Sequence, residues 1–265
     1  MTLVRQGRRG PRGETSRGAT PGVPGHEPPD AVVRDRLWQA SISVCLAVLA
    51  FVQAPGTVSA DTKLDLLTSP AGFLSRATSL WDPLAAAGQL QNQAYGYLFP
   101  MGPFFAAGIG AGLPAWVVQR LWWALVVLLA YHGTRRLCTA WDVGTPGARV
   151  AAALAFALSP RLLGTLGAVS SEVWPMALAP WVLLPLVRTR PGGERRAAAR
   201  SGVAVLMLGG INAVASGAAL VLPALWLATR RPGRSVRRLQ AWWVACVTAA
   251  CAWWVVPLLL LGRYS

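Results

Sequence analysis

Long apolar runs, separated by short arginine-rich segments, constrain this chain more than any other feature. Hydrophobic residues make up 54% of its 265 positions and charged residues only 13%. A soluble domain usually devotes about 25% of its residues to charge. Several of the apolar runs approach the roughly 20 residues that a helix needs to cross a bilayer. The pattern predicts an all-α polytopic membrane protein.

The positions of the basic residues indicate how the chain is oriented. The net charge is +15, and most arginines of the second half lie in three clusters, at 135–136, 188–200 and 230–238. Such clusters between apolar runs are typical of cytoplasmic loops. They contain no aromatic residue on which a base could stack, which argues against a nucleic-acid partner.

About seven transmembrane helices place every arginine cluster on the inner side. The apolar region 198–229 has basic segments on both sides, so we expect it to form a hairpin with two short legs. The legs turn near GGINAVASG (209–217), with Asn212 as a turn or packing residue. The third span is expected to break at Ser159-Pro160. The spans are predicted at about 37–54, 115–134, 148–168, 174–187, two legs within 198–229, and 239–260.

The segments outside the spans divide the chain further. Residues 1–36 are rich in Gly, Pro, Arg and Ser and predict a disordered basic tail, which places the N-terminus in the cytoplasm. A cleaved signal peptide is disfavoured because the apolar run starts late. Residues 57–114 are expected to form a long first external loop with short helices along the membrane surface, and SSEVWP (170–175) a short outer turn. The abrupt end at LLLLGRYS predicts that the chain is a piece of a longer protein.

Few ionisable residues fall on the predicted outer face. DTKLDL, directly after the first span, supplies Asp61, Lys63 and Asp65, and Glu172 lies in the expected outer turn. Arg120 and Arg161 lie within the outer ends of spans, where charge is costly and often functional. The competing interpretation is structural, because loop carboxylates are often merely solvated and membrane arginines often extend to headgroups. The four scattered cysteines and two histidines predict neither a disulfide framework nor an all-protein metal site.

Several ordered stretches resemble a known family. DTKLDL, FLSRATSLWDP (73–83), GQLQNQAYGYLFPMGPFF (88–105), QRLWWA (119–124), FALSPRLL (156–163), SSEVWPMALAPWVLLP (170–185) and LLLLGRYS (258–265) resemble the amino-terminal region of actinobacterial α-(1→3)-arabinofuranosyltransferases of the AftD type. Those proteins are GT-C glycosyltransferases of the cell envelope and are far longer. The resemblance implies that residues 37–265 are the N-terminal part of a GT-C helical bundle, in the plasma membrane.

The resemblance also implies a reaction. GT-C enzymes have an acidic catalytic residue in the first external loop, and Asp61 matches that position best, with Asp65 as second choice. The donor is decaprenyl-phosphoryl-arabinose, the acceptor is an arabinan of arabinogalactan or lipoarabinomannan, and transfer is inverting on the external face. Arg161, Arg120 and Lys63, in that order, are expected to bind the donor phosphate. The expected substrate path comprises Glu172, Tyr95, Tyr97, Gln91 and Asn92. Whether a divalent cation, held partly by Asp61 and Asp65, takes part in the reaction is left open.

Two other functions fit the same pattern. A transporter or flippase of a polyprenyl-linked glycan would use the same charged cavity without a general base. An inactive, truncated fragment of the transferase would keep the motifs without the activity. Replacing Asp61 by Asn separates the first alternative from an enzyme, because only an enzyme needs the proton acceptor.

Overall fold

The computed structural model describes residues 29–61, 64–82, 88–90 and 94–263. The chain divides into a first unit that ends at Ser41 and a second unit, Ile42–Ser265. Eleven α-helices occur in the described residues: α1 Pro29–Phe51, α2 Leu64–Thr68, α3 Pro70–Ala77, α4 Met101–Gly110, α5 Ala115–Ala140, α6 Pro146–Ala157, α7 Pro160–Leu166, α8 Ser170–Val187, α9 Glu194–Leu206, α10 Ala213–Ala228 and α11 Arg234–Leu261.

The rest of the regular structure is small. A 3₁₀-helix covers Ala94–Leu98, and two strands of two residues each, β1 (Trp81–Asp82) and β2 (Gln89–Leu90), pair antiparallel. The described residues therefore form an all-α fold, as the sequence predicts.

Helix α8 is the central element of the second unit. It packs against α5, α7, α9 and α10, while α9 packs in turn against α11 and α5 against α6. Glycines allow two of these close approaches. A Cβ at Gly133 of α5 would lie 2.6 Å from the indole nitrogen of Trp181, and one at Gly202 of α9 would lie 2.8 Å from Cβ of Cys246. Small residues at such crossings bring backbones together, as is common between membrane helices.

Four described helical segments have both the length and the hydropathy to cross a membrane: Ala115–Ala140, Pro146–Leu166, Ser170–Val187 and Arg234–Leu261. Helices α9 and α10 have 13 and 16 residues. At about 1.5 Å per residue, each is shorter than the roughly 30 Å of a hydrocarbon core. Two short helices are thus present where the hairpin was expected, but α9 packs against α8 and α11, and α10 packs against α8, rather than against each other. The Asn212 side chain caps α10 by accepting a hydrogen bond from Ala215 N at 3.0 Å. How many helices cross the bilayer stays a prediction.

The break in the third span lies where the sequence predicts it. Helix α6 ends at Ala157 and α7 begins at Pro160, with Ser159 between them as the N-cap whose hydroxyl accepts from Leu162 N at 3.4 Å. Proline has no N–H to donate and fits the first turn of a new helix better than the interior of an old one.

Two local predictions need correction. Helix α1 begins at Pro29, so residues 29–36 are helical although they were assigned to the disordered tail; proline at a first helical position lacks only an N–H that would have had no partner. Residues 1–28 lie outside the described part of the chain. SSEVWP is not a turn but the start of α8, because Ser170 and Glu172 suit a helical first turn and a distant carboxylate caps it.

The first loop packs as part of the bundle core. Its helices α2, α3 and α4 contribute Leu66, Phe73 and Phe105 to the same buried apolar cluster as Trp122 of α5. Gly96 lies so close to the turn before α10 that a Cβ there would be 2.6 Å from the Gly210 carbonyl oxygen. Short helices in this loop are therefore confirmed, and their apolar side chains fix the segment that begins near Asp61.

Candidate active site

Asp61 lies buried between the end of α1 and the beginning of α8. Asp61 is only 6% exposed. One carboxylate oxygen accepts a hydrogen bond from Ser170 N at 3.0 Å, and the other accepts one from the Ser170 hydroxyl. Ser170 is the first residue of α8, where backbone N–H groups lack partners in the helix and favour a negative charge. Asp61 therefore caps a helix 109 residues away.

A continuous set of hydrogen bonds holds the chain just before Asp61. The side-chain amide of Gln119 bonds to both backbone groups of Ser59, and the Ser59 hydroxyl donates to Gly167 O at 2.7 Å. Arg120 donates to Gln53 O at 2.9 and 3.1 Å and to Thr57 O at 3.3 Å. We refer to Ser59, Asp61, Gln119, Arg120 and Ser170 as the Asp61 network.

Tryptophans enclose one side of the Asp61 network. The Trp122 indole N–H donates to the Ser170 hydroxyl at 3.1 Å, so a chain of donors runs from Trp122 through Ser170 to Asp61. The Trp122 ring stacks on that of Trp174, with ring centres 4.3 Å apart. Trp122 is 1% exposed. This apolar wall lowers the local dielectric and strengthens each of these hydrogen bonds.

Asp65, the second expected carboxylate, has a different environment. It lies in the first turn of α2 and forms an ion pair with Arg76 of α3 at 3.0 Å. Both side chains are about half exposed, at 47% and 45%. The two aspartates of DTKLDL thus differ in burial and in partners, and only Asp61 joins the buried network.

Arg120 lines an apolar cavity of about 510 Å³ between α1, α5 and the α6–α7 region. It is 2% exposed, and its guanidinium lies 4.0 Å from the ring centre of Trp123. Its hydrogen-bond acceptors are backbone carbonyls and the Gln119 amide, and no carboxylate of the described residues lies within ion-pair distance. The cavity walls include Leu46, Leu49, Val127, Leu158, Leu163 and Leu166. Among the described residues that line this apolar cavity, Arg120 is the one charged side chain.

Arg161, the first candidate for phosphate binding, pairs with another expected site residue. Its guanidinium forms an ion pair with the Glu172 carboxylate, and its side chain is 66% exposed. Both residues line a second cavity, of about 540 Å³, together with Asn212 and apolar residues of α8 and α10. The charge of Arg161 is therefore compensated within the chain, unlike that of Arg120.

The aromatic candidates of the first loop are buried. Tyr97 is fully buried and meets Phe73 edge-on, with ring centres 5.5 Å apart. It lines neither the Arg120 cavity nor the Arg161 cavity. Tyr95 lines a third cavity, of about 310 Å³, next to Asn212. Burial raises the pKa of the Tyr95 phenol above its usual value of 10.0, so that it stays a neutral donor. Lys63, Gln91 and Asn92 lie outside the described residues.

A divalent cation shared by Asp61 and Asp65 does not fit this arrangement readily. Both oxygens of Asp61 accept from Ser170, and Asp65 pairs with Arg76. Calcium and magnesium need several oxygen ligands around one point. The described part of the chain contains no group of three or more His, Cys, Asp or Glu side chains that could hold a metal.

Sequence reasoning missed four members of this site: Ser59, Ser170, Trp122 and Gln119. Ser170 has a local signal, because Ser and Glu before an apolar run often start a helix. Gln119 has one too, since a polar amide inside an apolar span needs a partner there. Trp122 has none, because one tryptophan among 13 in the chain does not stand out by composition.

Comparison with known proteins connects this site to a family. The profile of α-(1→3)-arabinofuranosyltransferase, N-terminal GT-C domain, matches residues 45–265. An α-(1→3)-arabinofuranosyltransferase of Mycolicibacterium smegmatis is 50% identical over 226 residues, which are 84% of this chain and 16% of the relative. One of Mycobacterium tuberculosis is 47% identical over 234 residues, or 87% and 17% of the two chains.

A solved structure is similar as well. A single-particle cryo-EM structure of the arabinofuranosyltransferase AftD from mycobacteria superposes with a TM-score of 0.81 at 50% identity. The match covers 86% of this chain and 18% of that one. The chain thus spans about one sixth of the length of the relatives it matches, and its similarity is to their amino-terminal GT-C region.

Proposed function

This chain belongs to the α-(1→3)-arabinofuranosyltransferase family with an N-terminal GT-C domain, and from that membership we propose that it supplies the catalytic carboxylate and the donor site of a membrane glycosyltransferase. The proposed reaction moves arabinofuranose from decaprenyl-phosphoryl-arabinose to a hydroxyl of an arabinan acceptor. It forms an α-(1→3) linkage with inversion at the anomeric carbon. The proposed active site faces the outside of the plasma membrane, where a lipid-linked sugar is the available donor.

The environment of Asp61 is the observation that carries this proposal. Its carboxylate is buried, and two hydrogen bonds from Ser170 at a helix N-terminus hold it in place. An ionised, fixed carboxylate can accept the proton of an attacking hydroxyl. A carboxylate oxygen can accept more than one hydrogen bond. Asp65 is the weaker candidate, because Arg76 and solvent compete for its oxygens.

Arg120 is our candidate for the donor phosphate, ahead of Arg161. Its buried guanidinium keeps an uncompensated charge, and one N–H of Nη1 has no partner among the described residues. A charge-assisted bond to phosphate is stronger in such an apolar setting than at the surface. The leucine-lined walls suit the first units of an isoprenoid chain. A phosphate at Arg161 would have to displace Glu172. A role for Lys63 beside Arg120 stays a proposal from the sequence.

The proposed chemistry follows from these two groups. Asp61 accepts the proton as the acceptor oxygen attacks the anomeric carbon from the face opposite the phosphate. The bond between the anomeric carbon and the phosphate oxygen breaks, and its electrons leave with decaprenyl phosphate. Arg120 stabilises the negative charge that develops there. Glu172, Tyr95 and Asn212, which line the second and third cavities, are candidates for contacts with the acceptor sugar.

The test compares the two aspartates of DTKLDL. Membranes containing either this chain, or a chimera in which residues 45–265 replace the matching segment of the M. smegmatis relative, receive labelled decaprenyl-phosphoryl-arabinose and an arabinan oligosaccharide. Asp61→Asn should lower transfer by about 10²–10⁴-fold, the usual contribution of a general base. Asp65→Asn, the matched control, should change transfer by less than about 3-fold, since it removes only an exposed pair.

Binding of the labelled donor should survive in Asp61→Asn, because the phosphate site is intact. Transfer that is unchanged in Asp61→Asn would show that Asp61 is not the base. A chimera that moves the lipid between leaflets without any transfer would favour the transporter alternative. Activity in the chimera but not in the 265-residue chain would show that this segment needs the rest of the protein.

A further inference from the structure

Gln119 makes an unusually complete connection to the chain that leads to Asp61. Its side-chain Oε1 accepts from Ser59 N at 3.0 Å, and its Nε2 donates to Ser59 O at 2.8 Å. Oε1 also accepts from Nη1 of Arg120 at 3.1 Å. Gln119 is fully buried. One side chain therefore satisfies both backbone groups of Ser59 and touches the guanidinium of the Arg120 cavity.

Ser59 transmits this restraint to Asp61. Asp61 N donates to Ser59 O at 2.8 Å, two residues back along the chain. The Ser59 hydroxyl donates to Gly167 O, three residues before Ser170, whose N–H and hydroxyl bond to the Asp61 carboxylate. The bonds close a ring from α5 through the Asp61 segment to the start of α8. The backbone and the carboxylate of Asp61 are thus fixed from two different helices.

We propose that Gln119 is a positioning residue that holds the Asp61 carboxylate in register with the Arg120 cavity. This inference rests on the proposed function, since it assigns Gln119 a part in placing the base relative to the donor. Gln119 contacts no reacting atom in this scheme. It acts through Ser59, and its contact with Arg120 sets the base and the phosphate site at a fixed separation. Displacements of about 1 Å in such a geometry can cost about 10²-fold in rate.

The experiment replaces Gln119 by methionine, which is similar in length but forms no strong hydrogen bond. In the chimera, Gln119→Met should lower kcat by about 10²-fold. The KM for decaprenyl-phosphoryl-arabinose should stay within about 2-fold, because Arg120 keeps its carbonyl partners. Gln240→Met is the matched control. Gln240 donates to Leu227 O at 3.0 Å between α11 and the end of α10, so its loss should leave kcat unchanged.

A double variant separates positioning from general damage. If Gln119 acts through Asp61, Asp61→Asn combined with Gln119→Met should be no slower than Asp61→Asn alone. Rate losses that multiply, or a KM that rises as much as kcat falls, would overturn the inference. Should Gln119→Met fail to accumulate, Gln119→Asn keeps the amide but is one methylene too short to reach both backbone groups of Ser59. It should lower kcat by about 10-fold with the same unchanged KM, and a normal kcat there would contradict the inference.

The two proposals can fail separately. If Asp61→Asn keeps full transfer activity, the assignment of the base fails whatever Gln119 does. If Asp61→Asn is inactive while Gln119→Met is normal, only the positioning role fails.

Discussion

The Asp61 network and the two surface ion pairs both contain a carboxylate and an arginine, but these side chains differ in burial and in partners. In the network, Asp61 and Arg120 are 6% and 2% exposed, and their partners are backbone groups, Ser170 and Gln119. The pairs Asp65–Arg76 and Arg161–Glu172 join a carboxylate directly to a guanidinium, and both are partly exposed. The charges of a pair cancel. Among the described residues no carboxylate lies within ion-pair distance of Arg120, so its buried charge is available to a substrate.

The two arrangements also differ in how much the loss of one partner lowers the free energy of unfolding. Exposed ion pairs contribute about 0–1 kcal/mol because water and salt screen them. A buried charged group whose partners are removed costs about 3–5 kcal/mol, since the remaining groups cannot turn to water. The network is therefore where substitutions should have the largest effect on both stability and transfer.

The largest difference is expected between the two arginines. Arg120→Met leaves the carbonyls of Gln53 and Thr57 without their donor and should lower the free energy of unfolding by about 3 kcal/mol. Arg161→Met should lower it by less than about 1 kcal/mol. Denaturation of the purified proteins in one detergent measures both. Equal losses would mean that burial does not distinguish the two arginines.

A smaller difference should separate two serines. Ser170→Ala removes the hydroxyl that bonds to Asp61 and accepts from Trp122, and it leaves a buried indole N–H without an acceptor. We expect a loss of about 1–3 kcal/mol in unfolding free energy and a lower transfer rate. Ser75→Ala, whose exposed hydroxyl bonds only to Gly72 O, is the control and should change neither. A Ser170→Ala protein as active and stable as the parent would contradict the donor chain.

The smallest effect concerns a carboxylate outside the network. Glu194, at the start of α9 among the arginine clusters, accepts a hydrogen bond from the Ser235 hydroxyl, which together with backbone N–H bonds lowers its pKa below the usual 4.5. Its stabilisation is fully present above pH 4.5 and is lost as pH falls through the lowered pKa. Ser235→Ala should reduce this acid sensitivity of thermal unfolding and leave transfer unchanged. A change in transfer would mean that a hydrogen-bonded carboxylate affects the reaction even far from Asp61.

Much of the fold could be predicted from the sequence, for reasons that particular residues illustrate. Apolar runs of helical length predicted the long helices, because a lipid environment leaves few alternatives for a backbone. Ser159-Pro160 marked the break between α6 and α7, since proline cannot continue the earlier helix. Asn212 was expected to be a turn or packing residue, and it caps α10. Two short helices were expected in this region, and α9 and α10 are short.

The site could be predicted only in part. The sequence placed Asp61 and Asp65 after the first apolar run and predicted that Arg120 and Arg161 lie within the ends of membrane spans. The tertiary structure alone decided that Asp61 meets Ser170, 109 residues away, while Asp65 meets Arg76 and Arg161 meets Glu172. Local sequence sets helix starts, breaks and hydropathy through short-range sterics. Burial and the choice of partner arise from contacts between distant helices, and those determine which of several similar charges is left for a ligand.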